Sequence, residues 1–69
     1  MARPNFDQRI AERMLYALQH LQPDGMTVAD FVRRTSLNKR TVMKYLKILE
    51  KNGEVVHFQI GNYKIYRLK

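Results

Sequence analysis

Four cations lie at helical spacing in the segment 39–51: Arg40, Lys44, Lys47 and Lys51. On a helix that advances about 100° per residue they share one face, and Val42, Leu46 and Leu49 form a narrow apolar stripe on the opposite face. Like charges four residues apart repel, so an ordinary solvent-facing surface more often alternates its signs. The spacing therefore predicts a helix that packs on its own domain with one side and binds a polyanion with the other. A solvated face without a ligand is the alternative.

The charge of the whole chain is unevenly distributed. The 69 residues carry a formal net charge of +7. Residues 33–69 contain ten cations and two anions, whereas residues 1–32 contain three cations and four anions. This asymmetry indicates a polyanionic partner that binds the C-terminal half.

Capping residues mark the ends of two short helices in this region. Thr27 suits an N-cap, and Asp30 stands where a capping box places its acidic residue. Asn38 suits the N-cap of the second helix, and Gly53 suits the left-handed position that closes it. Residues 35–37 then form a tight turn between the two helices.

The segment 27–53 resembles the helix-turn-helix of winged-helix transcriptional regulators of the prokaryotic type. Their pattern is a helix opening on Thr or Ser, a short turn, an apolar residue, a capping residue, and a recognition helix ending Leu-x-x-Leu-x-x-x-Gly. Here these positions read Thr27, Thr35-Ser36, Leu37, Asn38 and the run from Leu46 to Gly53. Ser36 departs from the pattern, because the family often has glycine there and serine fits only with a backbone adjustment or modest strain.

The resemblance implies an α+β fold, a winged helix-turn-helix with three helices and a C-terminal β-hairpin wing in a single domain, 1–69. The expected elements are helices at about 5–21 and 28–35, a recognition helix at about 39–52, and a wing at about 54–68. Residues 22–25 stop the first helix, and residues 26–28 could add one short strand.

The first helix is expected to start at Pro4 or Asn5 and to hold Asp7 in its first turn. Its apolar face is predicted from residues at helical spacing: Phe6, Ile10, Met14, Ala17, Leu18 and Leu21. Tyr16 lies off this stripe. In winged-helix dimers the first helix often supplies the subunit contact, so Tyr16 is a candidate interface residue.

Two segments rich in β-formers flank Gly61-Asn62 and predict a hairpin in which Ile60 faces Tyr63, Phe58 faces Ile65, and Val55 faces Leu68. By the resemblance, Val55, Tyr66 and Leu68 turn toward the helices. The opposite face is then too apolar for a wing that faces water. Its candidate residues for a dimer or partner interface are Val56, Phe58, Ile60, Tyr63 and Ile65. One explanation is that this face binds a second subunit or another partner. The alternative is that the predicted strand register is wrong, or that strand twist and the first helix cover part of the face.

A helix-turn-helix places the N-terminal half of its second helix in the major groove. The residues expected nearest the bases are Asn38, Lys39, Arg40, Thr41 and Lys44. Those expected on phosphates or in the flanking minor groove are Arg33, Arg34, Lys47, Lys51, Asn62 and Lys64. Arg40 is the best candidate for a bidentate contact with guanine. Arg33 and Arg34 have a second explanation, since cations complement the C-terminal dipole of a helix. Tyr45 borders the apolar stripe and is predicted in the core.

The sequence gives no support for enzymatic, metal or cofactor chemistry. His20 and His57 have no carboxylate or nucleophile at suggestive spacing, and they make a poor metal site. There is no cysteine and no glycine-rich phosphate loop, and the methionines read as core residues. No apolar run approaches the roughly 20 residues of a membrane span. We therefore expect no catalysis, no cofactor, no metal and no membrane, in a cytoplasmic, nucleoid-associated protein.

The functional prediction is sequence-specific or architectural binding of double-stranded DNA, by a transcriptional regulator that forms a homodimer. The alternative is a protein-interaction winged helix whose hairpin face or first helix binds a partner subunit. The basic stripe in 39–51 favours DNA, because a module that binds only protein does not need it.

Overall fold

The computed structural model describes residues 6–69. Helix α1 spans Gln8–Tyr16 and continues as a π-helical turn, Ala17–Leu21; helix α2 spans Val28–Thr35 and helix α3 spans Lys39–Lys51. Strands β1, Val55–Ile60, and β2, Tyr63–Leu68, form an antiparallel hairpin. The predicted α+β class is thus confirmed, with three helices followed by a hairpin, a layout consistent with a winged helix.

Helix α1 begins differently from the expectation. Asp7 is its N-cap and not a residue of its first turn, because the backbone of Asp7 is extended and its carboxylate accepts from the Arg9 amide at 2.9 Å. The Asp7 amide donates to the Tyr45 hydroxyl at 2.6 Å, which ties the start of α1 to α3. The expected start at Pro4 or Asn5 lies outside the described residues.

The end of the first helix widens into a π turn. The Gln22 amide donates to the Ala17 carbonyl at 3.0 Å, five residues back. This wider turn shifts the apolar periodicity, so Leu21 is 44% exposed, whereas Met14 and Leu18 are buried. The prediction that Leu21 continues the buried face was wrong because it assumed a regular α-helix throughout.

Both helices of the helix-turn-helix have the predicted N-caps. Thr27 and Asp30 form a capping box, and the Asn38 side chain accepts from the Thr41 amide at 2.8 Å. The turn between the helices holds Ser36 in the left-handed region with φ 60°, which is the strained position that the sequence indicated. After α3, Gly53 has φ 77°, as expected for the residue that closes the helix.

The register of the hairpin is the predicted one, with Val55 opposite Leu68, Phe58 opposite Ile65 and Ile60 opposite Tyr63. The Met26 amide and carbonyl each bond to Tyr66 at 2.8 Å, so residue 26 pairs with β2 as an isolated bridge. The chain approaches β2 closely at Gly25, which has φ 129°, and a Cβ there would overlap Ile65 Cγ2. Gly25 therefore supplies both the backbone angle and the space that this pairing needs.

One apolar core joins the helices to the inner face of the hairpin. Val42, Leu46 and Leu49 are buried, as the helical spacing predicts, and Tyr45 is 2% exposed. Leu37 is half-buried and packs against the core. Val55 and Tyr66 turn inward, but Leu68, at the end of β2, lies at the margin of the core and is 36% exposed. Leu68 therefore lies on the predicted inner face, opposite Val55, but it is not fully buried.

Candidate nucleic-acid interface

The basic stripe of α3 points away from the core. Arg40, Lys44, Lys47 and Lys51 are all exposed, because they lie opposite the buried stripe of the same helix. Within residues 6–69, no carboxylate forms an ion pair with Arg40, Lys47 or Lys51. The Lys44 ammonium lies 5.9 Å from the centre of the Tyr45 ring. Arg40, Lys47 and Lys51 can therefore present their positive charge to an external polyanion without first breaking an ion pair within residues 6–69.

The start of α3 combines capping with exposed polar groups. Asn38 Oδ1 is engaged by the Thr41 amide, so a ligand contact by Asn38 would use its Nδ2 donors. Lys39 and Arg40 are exposed, and Thr41 is half-buried. The cap fixes the angle at which the chain enters α3 and so sets the direction in which these side chains leave the domain.

A groove of about 560 Å³ lies between the helix-turn-helix and the wing tip. Three predicted DNA-binding residues from distant parts of the sequence line it together: Lys39, Asn62 and Lys64. Its other lining residues come mainly from the start of α2 and are Thr27, Val28, Ala29, Val32 and Tyr63. The fold therefore brings the wing tip and the first residue of α3 to one concave surface with a lysine from each.

Arg33 and Arg34 are tied to their own domain. Arg33 Nη2 lies 2.6 Å from Asp30 Oδ1, and Arg34 Nε donates to Gln22 Oε1 at 3.0 Å. The backbone amide of Thr27 is the main cause that lowers the pKa of Asp30, and the charge of Arg33 also contributes. Asp30 is therefore ionised at neutral pH and offsets part of the charge that Arg33 offers to a ligand.

The outer face of the hairpin is exposed. We use this name for the six strand residues on the side of the sheet opposite Val55 and Tyr66: Val56, Phe58, Ile60, Tyr63, Ile65 and Arg67. Tyr63 also borders the groove that α2 lines. The exposed fractions are 47% for Phe58, 62% for Ile60 and 66% for Tyr63. The Arg67 guanidinium lies 5.4 Å from the centre of the Phe58 ring. The register is the predicted one, and the end of the face near the wing tip, formed by Phe58, Ile60 and Tyr63, is open to solvent, whereas Val56 and Ile65 are half-buried.

A second exposed aromatic lies on α1. Tyr16 is 58% exposed, and its ring centroid is 4.5 Å from that of His20. Leu21, at the end of the π turn, is also exposed. These residues belong to the first helix and its π turn, whereas Phe58, Ile60 and Tyr63 belong to the hairpin.

Met43 is a surface residue of α3 that the sequence reasoning missed. It is 46% exposed, whereas Met14 and Met26 are fully buried as predicted; Met1 lies outside the described residues. The signal was present in the helical spacing, since Met43 lies about 100° from the centre of the apolar stripe.

A contact between α3 and β1 was also missed. His57 Nδ1 lies 2.5 Å from Glu50 Oε2, and the imidazole packs 5.5 Å from the Tyr66 ring. Burial, with a smaller effect of the Glu50 charge, raises the pKa of Tyr66. No local spacing joins positions 50 and 57, because the strand must first fold back along the helix before they meet.

No cluster of three His, Cys, Asp or Glu side chains within residues 6–69 is placed to hold a metal ion. None of the helices in that range has the length and apolar character needed to cross a membrane. Comparisons of the chain with protein-family models and with curated proteins found no match.

Proposed function

We propose that this chain binds double-stranded DNA through the basic face of α3, as a transcriptional regulator or a DNA-organising protein of the winged-helix type. One observation carries the proposal: the cations of this face are exposed on a rigid helix, and its opposite side is anchored in the core. A helix of this kind fits the major groove of B-DNA, which is wide enough to admit it.

The two ends of the basic face serve different contacts in this mechanism. Arg40, Thr41 and Lys44 lie in the N-terminal half of α3, nearest the base edges, and Lys47 and Lys51 extend toward the phosphates. The groove lined by Lys39 and Lys64 receives the flanking backbone, with Asn62 at the wing tip. Each phosphate contact releases condensed counterions, so the affinity falls steeply with salt.

The test is fluorescence anisotropy with a short labelled duplex between about 50 and 200 mM salt. We expect tight binding at the low end and a steep loss toward the high end. The single substitution Lys51→Ala should weaken binding and flatten the salt dependence. Arg9→Gln is the matched control, because it removes an exposed cation from α1. Absence of binding at low salt, or an equal effect of the control, would contradict the proposal.

A protein-binding function is the second candidate, and the exposed outer face of the hairpin is the observation that favours it. In this case a homodimer or another subunit would cover that face or Tyr16. The oligomeric state of the chain, measured by light scattering alone and with duplex, tests this candidate. If the chain is a homodimer that also binds DNA, the two subunits would read two half-sites related by the twofold axis of the protein. Such a dimer would fit the proposed role of a cytoplasmic, nucleoid-associated regulator.

A further inference from the structure

Two aromatic rings stand as diagonal neighbours on the outer face of the hairpin. Phe58 pairs with Ile65 and Ile60 pairs with Tyr63, so Phe58 and Tyr63 are two positions apart on adjacent strands. Diagonal neighbours are separated by about 7–8 Å, within reach of aromatic side chains. Tyr63 has the largest exposed fraction of any large apolar residue in the described chain, and Phe58 is about half exposed. Both rings therefore lie on the same open side of the sheet, and we call this pair of residues the platform.

The charge of this platform has one sign. Arg67 is the only charged residue of the outer face, and its guanidinium lies over the Phe58 ring. A second copy of the chain would bring an equal net charge of +7 and a second Arg67 against the first. The exposed parts of Phe58, Ile60 and Tyr63 amount to roughly 350 Å², well below the about 800 Å² that each partner buries in a standard interface. Both facts favour a polyanionic occupant over a second copy.

Inside a duplex the base faces are stacked on one another, so only the terminal base pairs offer an aromatic surface to such a platform. Unpaired nucleotides offer both a base to stack on Phe58 or Tyr63 and a phosphate for Arg67. We propose that the outer face of the hairpin binds unpaired bases next to a duplex, such as a single-stranded tail or an opened base step. This inference rests on the proposed DNA binding by α3, which would hold the duplex while the hairpin holds the unpaired strand.

The test compares a blunt duplex with the same duplex carrying an unpaired thymine tail, both measured by anisotropy with the full chain. We expect the tail to increase the affinity by about fivefold or more for each ring that stacks. Tyr63→Ser should remove the gain of one ring, and Tyr63→Phe should keep it. Tyr16→Ser is the matched control, since Tyr16 is a tyrosine of similar exposure on α1. Melting curves confirm that each variant is folded.

A second readout locates the stacking. With 2-aminopurine in the tail, its fluorescence should fall on binding to the protein and to Tyr63→Phe, and should fall less with a Phe58→Ser, Tyr63→Ser double variant. The inference is overturned if tailed and blunt duplexes bind equally, or if Tyr63→Ser keeps the preference for the tail. It is also overturned if the double variant turns a dimer into a monomer in light scattering, which would make this face an interface between copies. Salt-sensitive binding of the blunt duplex in the same series tests the proposed function independently.

Discussion

Arg40 and Lys47 share one face of α3, but their side chains suit different ligands. A guanidinium donates through a planar fork that matches the two acceptors of guanine, whereas an ammonium is a point charge that suits a phosphate. Arg40 lies in the second position of the helix, and Lys47 lies two turns farther along. If α3 enters the major groove, substitution of these two residues should therefore produce different losses.

We predict that Arg40→Ala lowers the affinity for the preferred DNA site by about 1–3 kcal/mol and relaxes the preference at one base position. Lys47→Ala should weaken binding to all sequences alike and reduce the salt slope by about one unit. Binding selection with a randomised duplex, followed by titrations in salt, measures both effects. A uniform loss for Arg40→Ala, with specificity intact, would assign Arg40 to the phosphate backbone instead.

Asp30 links the stability of the domain to pH. Its pKa is lowered below the ordinary value of an aspartate, chiefly by the Thr27 amide, so the ionised carboxylate is favoured in the folded state. A group with a depressed pKa stabilises the fold above its unfolded pKa, and that contribution is lost as the pH falls through the folded pKa. The stabilisation from Asp30 is thus present at neutral pH and disappears below about pH 4.

We accordingly expect Asp30→Ala to lower the free energy of unfolding by about 1 kcal/mol at pH 7, from the lost capping hydrogen bonds. Denaturant unfolding between neutral and acid pH should show the difference from the parent protein shrinking below about pH 4. Asp24→Ala is the control, because the Asp24 carboxylate makes no hydrogen bond to the rest of residues 6–69. A difference that stays constant down to acid pH would argue against this role for Asp30.

At the scale of elements, two turns determine how the helices meet the hairpin. The turn after α2 places Ser36 in the left-handed region, where a Cβ costs energy that glycine does not incur. The turn before α2 brings Gly25 against Ile65 of β2. Together the two turns fix α2, and the turn at Ser36 then sets the angle at which α3 follows it.

Ser36→Gly should raise the free energy of unfolding by up to about 1 kcal/mol, since relief of the left-handed strain exceeds the entropy that glycine adds to the unfolded chain. Ser36→Val should lower it, because a β-branched residue is strained further at positive φ. Thermal melting of the three proteins gives the order directly. If the glycine variant is the least stable, the Ser36 side chain contributes more than its backbone strain costs.

Gly25→Ala should destabilise the domain by about 1–3 kcal/mol, because the new methyl group meets Ile65 Cγ2 and the backbone angle disfavours alanine. Ile65→Ala removes Cγ2 but not the strained angle, so Gly25→Ala should cost less in an Ile65→Ala background, although part of the loss should remain. Gly61→Ala is a useful comparison, since φ there is also positive but its Cβ would meet open space. An equal loss at both glycines would mean that the angle, and not the contact, dominates.

At the scale of the whole molecule, the segregated charge produces a field around the C-terminal half. Residues 33–69 hold ten of the cations, and the stripe of α3 presents four of them on one exposed face. Such a field attracts a polyanion before contact and speeds association, and it is screened beyond about 10 Å at 0.1 M ionic strength.

The association rate constant with duplex DNA should therefore fall by about tenfold or more as salt is raised from about 50 to 200 mM. Stopped-flow fluorescence measures this rate directly. A neutralisation in the acidic N-terminal half, Glu12→Gln, is the control, since it raises the net charge by one unit without altering the basic face. The comparison is a variant with one cation added to α3. If the association rate constant rises much more in the control than in that variant, the net charge matters more than the distribution of the charge.

Local sequence was sufficient to predict the helix-turn-helix and the hairpin. Thr27 and Asn38 cap helices by bonds to residues three positions away, and the Gly61-Asn62 turn sets the register of its own flanking strands. These interactions close within a few residues, so they can be read without knowing the rest of the fold. The basic stripe of α3 is predictable for the same reason, because one helix determines which side chains share a face.

Only the tertiary structure determined which of these surfaces stay open and which residues they join. The π turn that exposes Leu21, the contact of Glu50 with His57, and the groove that unites Lys39 with Lys64 all depend on how separate elements pack. The sequence alone did not decide whether the outer face of the hairpin is covered or open. In the folded chain Phe58 and Tyr63 on this face are exposed. Side-chain periodicity assigns a residue to a face, but the neighbouring element determines whether that face is buried.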